Sequence, residues 1–168
     1  MSGIIEMDET FVGGETEGRG RGYKGNKALV GVVQCGGEVV LQIATDRTRK
    51  TLHEIALKHI APEAVAIFTD EWPAYTGMEA MTPGMKPSIT PRMNMSGERV
   101  HTNTVEGVWS LLKRSIIGAF HHVSVKHLDK YLSELEWRFS NRNNSQIFRG
   151  TLTQLLQAGH MGYEELTA

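Results

Sequence analysis

With one cysteine, Cys35, in 168 residues, the chain can form no internal disulfide, and neither a zinc ribbon nor a zinc finger can be built from it. A reducing cytoplasm suits that composition. Long apolar runs are missing too. Nothing approaches the length of a membrane span, and the opening MSGIIEMDE has neither the basic flank nor the apolar centre of an export signal. The sequence therefore reads as soluble, not exported and with no membrane partner. Charge of one sign is equally scarce. A formal net charge of −1 carries no overall basic signature, so any contact with nucleic acid must come from local patches and bound cations. Aromatic residues make up 7% of the chain, and Trp72, Trp109 and Trp137 are read as core rather than as base-stacking platforms. Internal repeats, linkers and low-complexity tracts are absent. What is present, 40% hydrophobic and 22% charged residues, makes a single globular domain over 1–168 with enough apolar material for a core.

Periodicity then orders the elements. GIIEMDETFV, closed by Gly13 and Gly14, reads as a first strand, and EGRGRGYKGN after it as a loop carrying Arg19, Arg21, Lys24 and Lys27, an electrostatic arm. KALVGVVQC and EVVLQIAT flank a glycine turn and predict a hairpin. Leu52, Ile55, Ala56 and His59 recur at helical spacing up to Pro62, which predicts a crossover helix. AVAIFTD is a strand covered on both faces that ends in Asp70. Three of the five prolines fall between Thr82 and Arg99, so that stretch is irregular, with room for a short strand at Val100. Val105, Val108, Trp109, Leu112 and Ile116 form the apolar stripe of a helix that Gly118 ends. Val125, Leu128, Leu132, Leu135 and Phe139 form another, N-capped by Ser124 and running to about Arg142. A short helix over Leu152 to Ala158 comes last.

Three antiparallel strands, a helix, a parallel strand, a break and a helix are the element order of ribonuclease-H-like folds, an α/β class with a mixed five-stranded sheet flanked by helices. In that order the first and fourth strands are neighbours. Asp8 and Asp70 then lie side by side, and Glu106 is delivered to them from a helix packed across the sheet. Converging carboxylates repel one another, and two divalent cations roughly 3.5 to 4 Å apart would satisfy them. Hard oxygen ligands select Mg²⁺ or Mn²⁺. Each residue also has a plainer reading. Asn103 and Glu106 fit a helix capping box, Asp70 fits the cap of a short helix, and Lys113 with Arg114 complements a helix dipole. Asp8 has no such reading, because a carboxylate in an apolar strand, with Glu6 on the same face, needs something positive to meet it. Lys113, seven residues after Glu106, shares its helix face with Ser110 and suits a phosphate beside the metal site. His121, His122 and His127 do not share a helix face, so they read as connector and DNA contacts rather than zinc ligands.

EMDETFVGG, KGNKALVGVVQCGG, FTDEWPAY and the long block from HTNTVEG to FSNR span nearly the whole chain. Through them the chain resembles the catalytic domain of DDE-type insertion-sequence transposases, the group with an ISXO2-like domain. The resemblance implies Asp8, Asp70 and Glu106 as a catalytic, metal-binding triad for two Mg²⁺ or Mn²⁺ ions, with Lys113 as the accompanying basic residue. It also implies cleavage of DNA at the element ends, strand transfer into target DNA, and a homo-oligomer assembled on DNA in the bacterial cytoplasm, nucleoid-associated when bound. Arg114, Arg19, Arg21, Lys24, His101, Asn103 and His122 are the further expected DNA contacts. The alternatives are another ribonuclease-H-like nuclease, or a non-catalytic DNA-binding and assembly remnant. Two departures stand out. The zinc-ribbon and DNA-reading region expected ahead of the first strand is absent, and Met95 stands where the pattern calls for histidine, which puts insertion efficiency in doubt.

Overall fold

Alternation of apolar and polar residues makes Ile4–Val12 the first strand, β1. It is buried on both faces at Ile5, Glu6 and Met7. β2 (Lys27–Gln34) and β3 (Val39–Ala44) form the expected hairpin. Its turn is closed by Gln34 N–H donating to the Glu38 carbonyl at 2.9 Å, with Gly36 at φ 75°, a conformation that costs glycine little. The computed structural model describes residues 1–12, 27–70, 72–78, 103–120, 123–159 and 162. The basic loop, with Arg19, Arg21 and Lys24, lies outside the described residues, as do His101 and His122.

Helix α1 (Arg49–His59) begins where Thr48 accepts a hydrogen bond from Thr51 N–H, and it ends before Pro62, as its spacing predicts. It returns the chain to β4 (Ala66–Phe68), which pairs in parallel with β1. The strand order is β3-β2-β1-β4. The expectation of a five-stranded sheet is corrected here, since among the described residues the sheet has four strands. After β4 the chain turns into a 3₁₀ turn at Pro73–Tyr75, whose proline has no N–H for a ladder. Segment 79–102, with the strand expected at Val100, is outside the described residues.

Two apolar layers sandwich the sheet. Ile5, Met7, Val30 and Val32 meet Leu52, Ile55 and Ala56 of α1, together with Tyr75 and Met78. On the other face, Leu29, Val33, Val39 and Leu41 meet α2 (Asn103–Ser115) and α3 (Leu128–Ser140). Val105, Val108, Trp109 and Leu112 of α2 are all buried, as the stripe predicts, at about 1.5–3 kcal/mol for each large apolar side chain removed from water. α3 also covers the outer edge of β3. Val39 N–H donates to Ser140 Oγ at 3.1 Å, and Leu41 N–H donates to Glu136. These bonds blunt an edge that would otherwise offer donors to another chain.

Three expectations need correcting. Gly118 does not end the helix. The chain continues through it as a π turn, Ile116–Phe120, whose wider winding sets the Phe120 ring edge-on to Tyr131 at 4.6 Å between centroids. The last helix, α4 (Ile147–Gln157), starts earlier than its spacing predicts, after Asn144 has accepted Gln146 N–H at 3.0 Å. Of the three tryptophans only Trp109 is core, because Trp72 and Trp137 are 42% and 38% exposed.

Candidate metal centre

The parallel register of β1 and β4 pairs Ile4 with Ala66, Ile5 with Ile67 and Glu6 with Phe68. Asp8 follows Glu6 by two residues within β1, and Asp70 follows Phe68 by two residues just past the end of β4, so the parallel pairing brings the two carboxylates to the same place. Ligand atoms of Asp8, Glu9 and Asp70 all lie within 4.8 Å of one another. Asp70 is exposed and also makes a local turn, its Oδ1 accepting Trp72 N–H at 3.1 Å. The expectation that Asp70 caps a short helix is not met, because the N-cap of the 3₁₀ turn that follows is Trp72, with no side-chain cap bond.

Asp8 is held from the helix side. Trp109 Nε1–H donates to its Oδ2 at 2.9 Å. Burial pushes the Asp8 carboxyl above its usual range. The bonds from Trp109 and the Glu9 main chain pull it back, and the charges of Asp70 and Glu106 raise it further. Directly across the ladder from Asp8 is Gly31, over which the Trp109 ring lies. A Cβ there would sit 2.7 Å from Trp109 Cζ2. The indole thus reaches the carboxylate because its cross-strand neighbour has no side chain.

Glu9 is the site residue that sequence reasoning misses. Period two puts it on the opposite face from Asp8, where Tyr75 OH donates to its Oε2 and Arg47 pairs with its Oε1 at 3.5 Å. Burial raises its carboxyl first, and the Tyr75 bond opposes that. The charges of Asp70 and Asp8 add to the rise, and Arg47 offsets part of it. Tyr75 is pushed far above a normal phenol by burial and by Glu9, so it stays a donor. Arg47 itself is stacked between Phe11 and Trp72, at 4.7 and 5.0 Å from their ring centres. The only signal for Glu9 in the sequence is its adjacency to Asp8 in MDET.

Glu106 lies in the first turn of α2 and is exposed. It is not one of the three carboxylates that fall within 4.8 Å, yet its field reaches Asp8. Lys113 and Arg114 are exposed in the last turn of α2, and Arg114 Nε donates to the Ser110 carbonyl at 3.3 Å. Asn103 opens the helix, exposed. The start of α2 is tied to β1 by Glu6, which is 3% exposed. Glu6 Oε2 accepts Thr104 N–H at 2.8 Å and Val105 N–H at 2.9 Å, while its Oε1 accepts the Thr104 hydroxyl at 2.7 Å. Cys35 Sγ–H donates to the same Oε1 at 3.3 Å.

The donor set suits a divalent cation. It consists of hard carboxylate oxygens, two of whose acids are driven toward protonation by burial and by mutual repulsion, and a cation relieves both. Among the described residues no helix is long and apolar enough to cross a membrane. No curated relative matches the chain. The family model for the ISXO2-like transposase domain matches residues 1–140, from β1 to the end of α3. With the four strands, helices α1 to α3 and the acidic cluster all inside that match, the chain belongs to the ISXO2-like transposase domain family of DDE-type insertion-sequence transposases.

Proposed function

We propose that this domain cuts and joins DNA by metal-assisted phosphoryl transfer at an insertion element, with Asp8, Asp70 and Glu106 holding two Mg²⁺ or Mn²⁺ ions. The observation that carries the reading is the clustering of Asp8 and Glu9 on β1 with Asp70, two residues past the parallel strand β4, all with ligand atoms within 4.8 Å of one another. When bound, such cations neutralise charge on the attacking and leaving oxygens of an in-line displacement. The protein's own work is positioning. Trp109 fixes the orientation of Asp8, the turn at Trp72 fixes Asp70, and α2 presents Glu106 from its first turn. Water attacks the phosphorus at the element end and the P–O3′ bond breaks, leaving a 5′-phosphate and a free 3′-hydroxyl, which then attacks a target phosphorus and displaces a 3′-hydroxyl of the target strand. No covalent enzyme intermediate forms, so no side-chain nucleophile is required.

Lys113 and Arg114, exposed on α2, neutralise the phosphate backbone. The loop residues Arg19, Arg21 and Lys24, with His101, Asn103 and His122, extend that contact along the DNA. A dimer or larger assembly in the bacterial cytoplasm holds the two element ends. The test is Mn²⁺ calorimetry combined with nicking of supercoiled plasmid in Mn²⁺, on the wild type and on Asp8→Asn, Asp70→Asn and Glu106→Gln. Each substitution is expected to abolish nicking and weaken Mn²⁺ binding. A variant that keeps both at wild-type level removes that residue from the site. Nicking without joining of a pre-cut end would make the domain a nuclease rather than a transposase, and folding without Mn²⁺ binding would make it a binding module.

A further inference from the structure

Glu6 has a different task from the neighbouring carboxylates. It is almost fully buried in an otherwise apolar stretch of β1, where a carboxylate is costly unless its oxygens are satisfied. Four donors satisfy them: Thr104 N–H, Thr104 Oγ–H and Val105 N–H from α2, and Cys35 Sγ–H from the hairpin turn. The two amides belong to the first turn of α2, where backbone donors have no partner within the helix. Glu6 and Asp8 lie two residues apart on the same face of one strand, and Glu106 lies one residue beyond Val105 on the helix. The Glu6 bonds therefore fix, across 98 residues of chain, how far and at what angle the Glu106 turn stands from Asp8.

We infer that Glu6 is a positioning residue, a bracket that sets the register of the Glu106-bearing helix against the Asp8-bearing strand, and that it does not itself hold metal. This rests on the proposed metal site. Glutamine preserves the bracket, because its carbonyl oxygen can accept both α2 amides while its NH₂ faces the Thr104 hydroxyl, which turns to accept. Alanine removes it and leaves two buried amides unpaired.

The experiment compares wild type, Glu6→Gln and Glu6→Ala, with Val108→Ala as a variant that loosens the packing of α2 without touching its start. Mn²⁺ affinity is read by calorimetry, and main-chain protection by hydrogen exchange. Glu6→Ala is expected to lose protection at Thr104 and Val105 while β1 and β2 keep theirs, and to bind Mn²⁺ about 10- to 100-fold more weakly. Glu6→Gln is expected to stay within a few-fold of wild type in both, and Val108→Ala to lose stability without that loss of affinity. Unchanged protection at Thr104 and Val105 in Glu6→Ala overturns the bracket. So does equal impairment of Glu6→Gln and Glu6→Ala in Mn²⁺ binding, which would make the charge itself a ligand. If the wild type binds no Mn²⁺, the metal reading fails instead, and the exchange data still decide whether Glu6 holds the helix. Should Glu6→Ala fail to fold, Glu6→Gln with wild-type protection and affinity supports the bracket, and Glu6→Gln without them overturns it.

Discussion

Replacing Gly31 by alanine sets two opposed effects against each other at the centre of the site. Strand propensity alone favours the change, since glycine in a strand interior is worse than alanine by roughly 0.5–1 kcal/mol. Packing opposes it. The added Cβ would lie 2.7 and 2.9 Å from Trp109 Cζ2 and Cη2 and 3.2 Å from Val105 Cγ2, so the ring must retreat by about 0.7 Å to regain an ordinary 3.4 Å contact. Trp109 is 4% exposed and wedged against the sheet, and overpacking of this kind costs about 1–3 kcal/mol. The same retreat stretches the 2.9 Å bond from the indole to Asp8, a bond to a charged acceptor worth about 1.5–3 kcal/mol when broken. The losses exceed the propensity gain, leaving a net destabilisation of about 2 kcal/mol. For a domain of this size that lowers Tm by roughly 4–8 °C. Thermal unfolding followed by circular dichroism, in chelator to keep metal out, measures it directly. A Tm equal to or above that of the wild type would show that Trp109 is not pressed against this strand, and would undo the account of how Asp8 is oriented.

Metal-free stability should depend on pH through Asp8 and Glu9. Both are raised above their ordinary values of 3.8 and 4.5, so their contribution is fully present below those values and is lost as pH rises through the folded ones. The stability difference between wild type and an Asp8→Asn, Glu9→Gln double variant should move accordingly, and Mn²⁺ should stabilise more at about pH 7 than at about pH 5. A Mn²⁺ increment independent of pH would contradict this. Cys35, pushed up to about 11 by burial and by Glu6, is thiolate in only about one molecule in a thousand at pH 8. Iodoacetamide should label it on the order of 100-fold more slowly in the native than in the unfolded chain, and equal rates would refute the Glu6 contact. Lys113→Ala with Arg114→Ala should weaken DNA binding and make the slope of log affinity against log salt shallower by about two, one for each phosphate no longer neutralised. An unchanged slope would place the DNA elsewhere.

The elements legible in the sequence were those whose burial pattern is local. The alternation in IIEMDETFV, the glycine turn between two apolar runs and the stripe from Val105 to Leu112 each specify a face, and a face needs only a sheet or helix to meet. The adjacency of β1 and β4 followed from element order, and with it the meeting of Asp8 and Asp70. What escaped depends on partners distant in sequence. Glu9 faces away from Asp8 in any strand, and its hydrogen bond is to Tyr75, 66 residues on and just past Asp70. Glu6 reads as a neighbour of Asp8, and nothing local says that its oxygens are spent on amides 98 and 99 residues away. Gly118 reads as a stop because glycine usually weakens a helix. The ring contact of Phe120 with Tyr131 lies beyond it, however, and the π turn carries the chain there. Trp72 resembles core by its size, but its ring is used in stacking on Arg47 at the surface.

These contacts explain why three acids sit within four positions of one strand. Alternation sends Glu6 and Asp8 to the α2 face and Glu9 to the α1 face, so a single strand touches both layers that carry the remaining carboxylates. Glu6 grips the start of α2, and Glu9 grips Tyr75 just past Asp70. Asp8 stands between them with its orientation set by Trp109. The two outer acids are well satisfied by donors of the protein. Burial raises Asp8 and Glu9 above their ordinary range, and the charges of the neighbouring carboxylates add to the rise. A fold selected for stability alone would separate them, since removing one carboxylate would relieve the repulsion without disturbing either helix. Burial and charge repulsion meet where Asp8, Glu9 and Asp70 lie within 4.8 Å of one another, and that is the physical argument for the cation of the proposed function at that point.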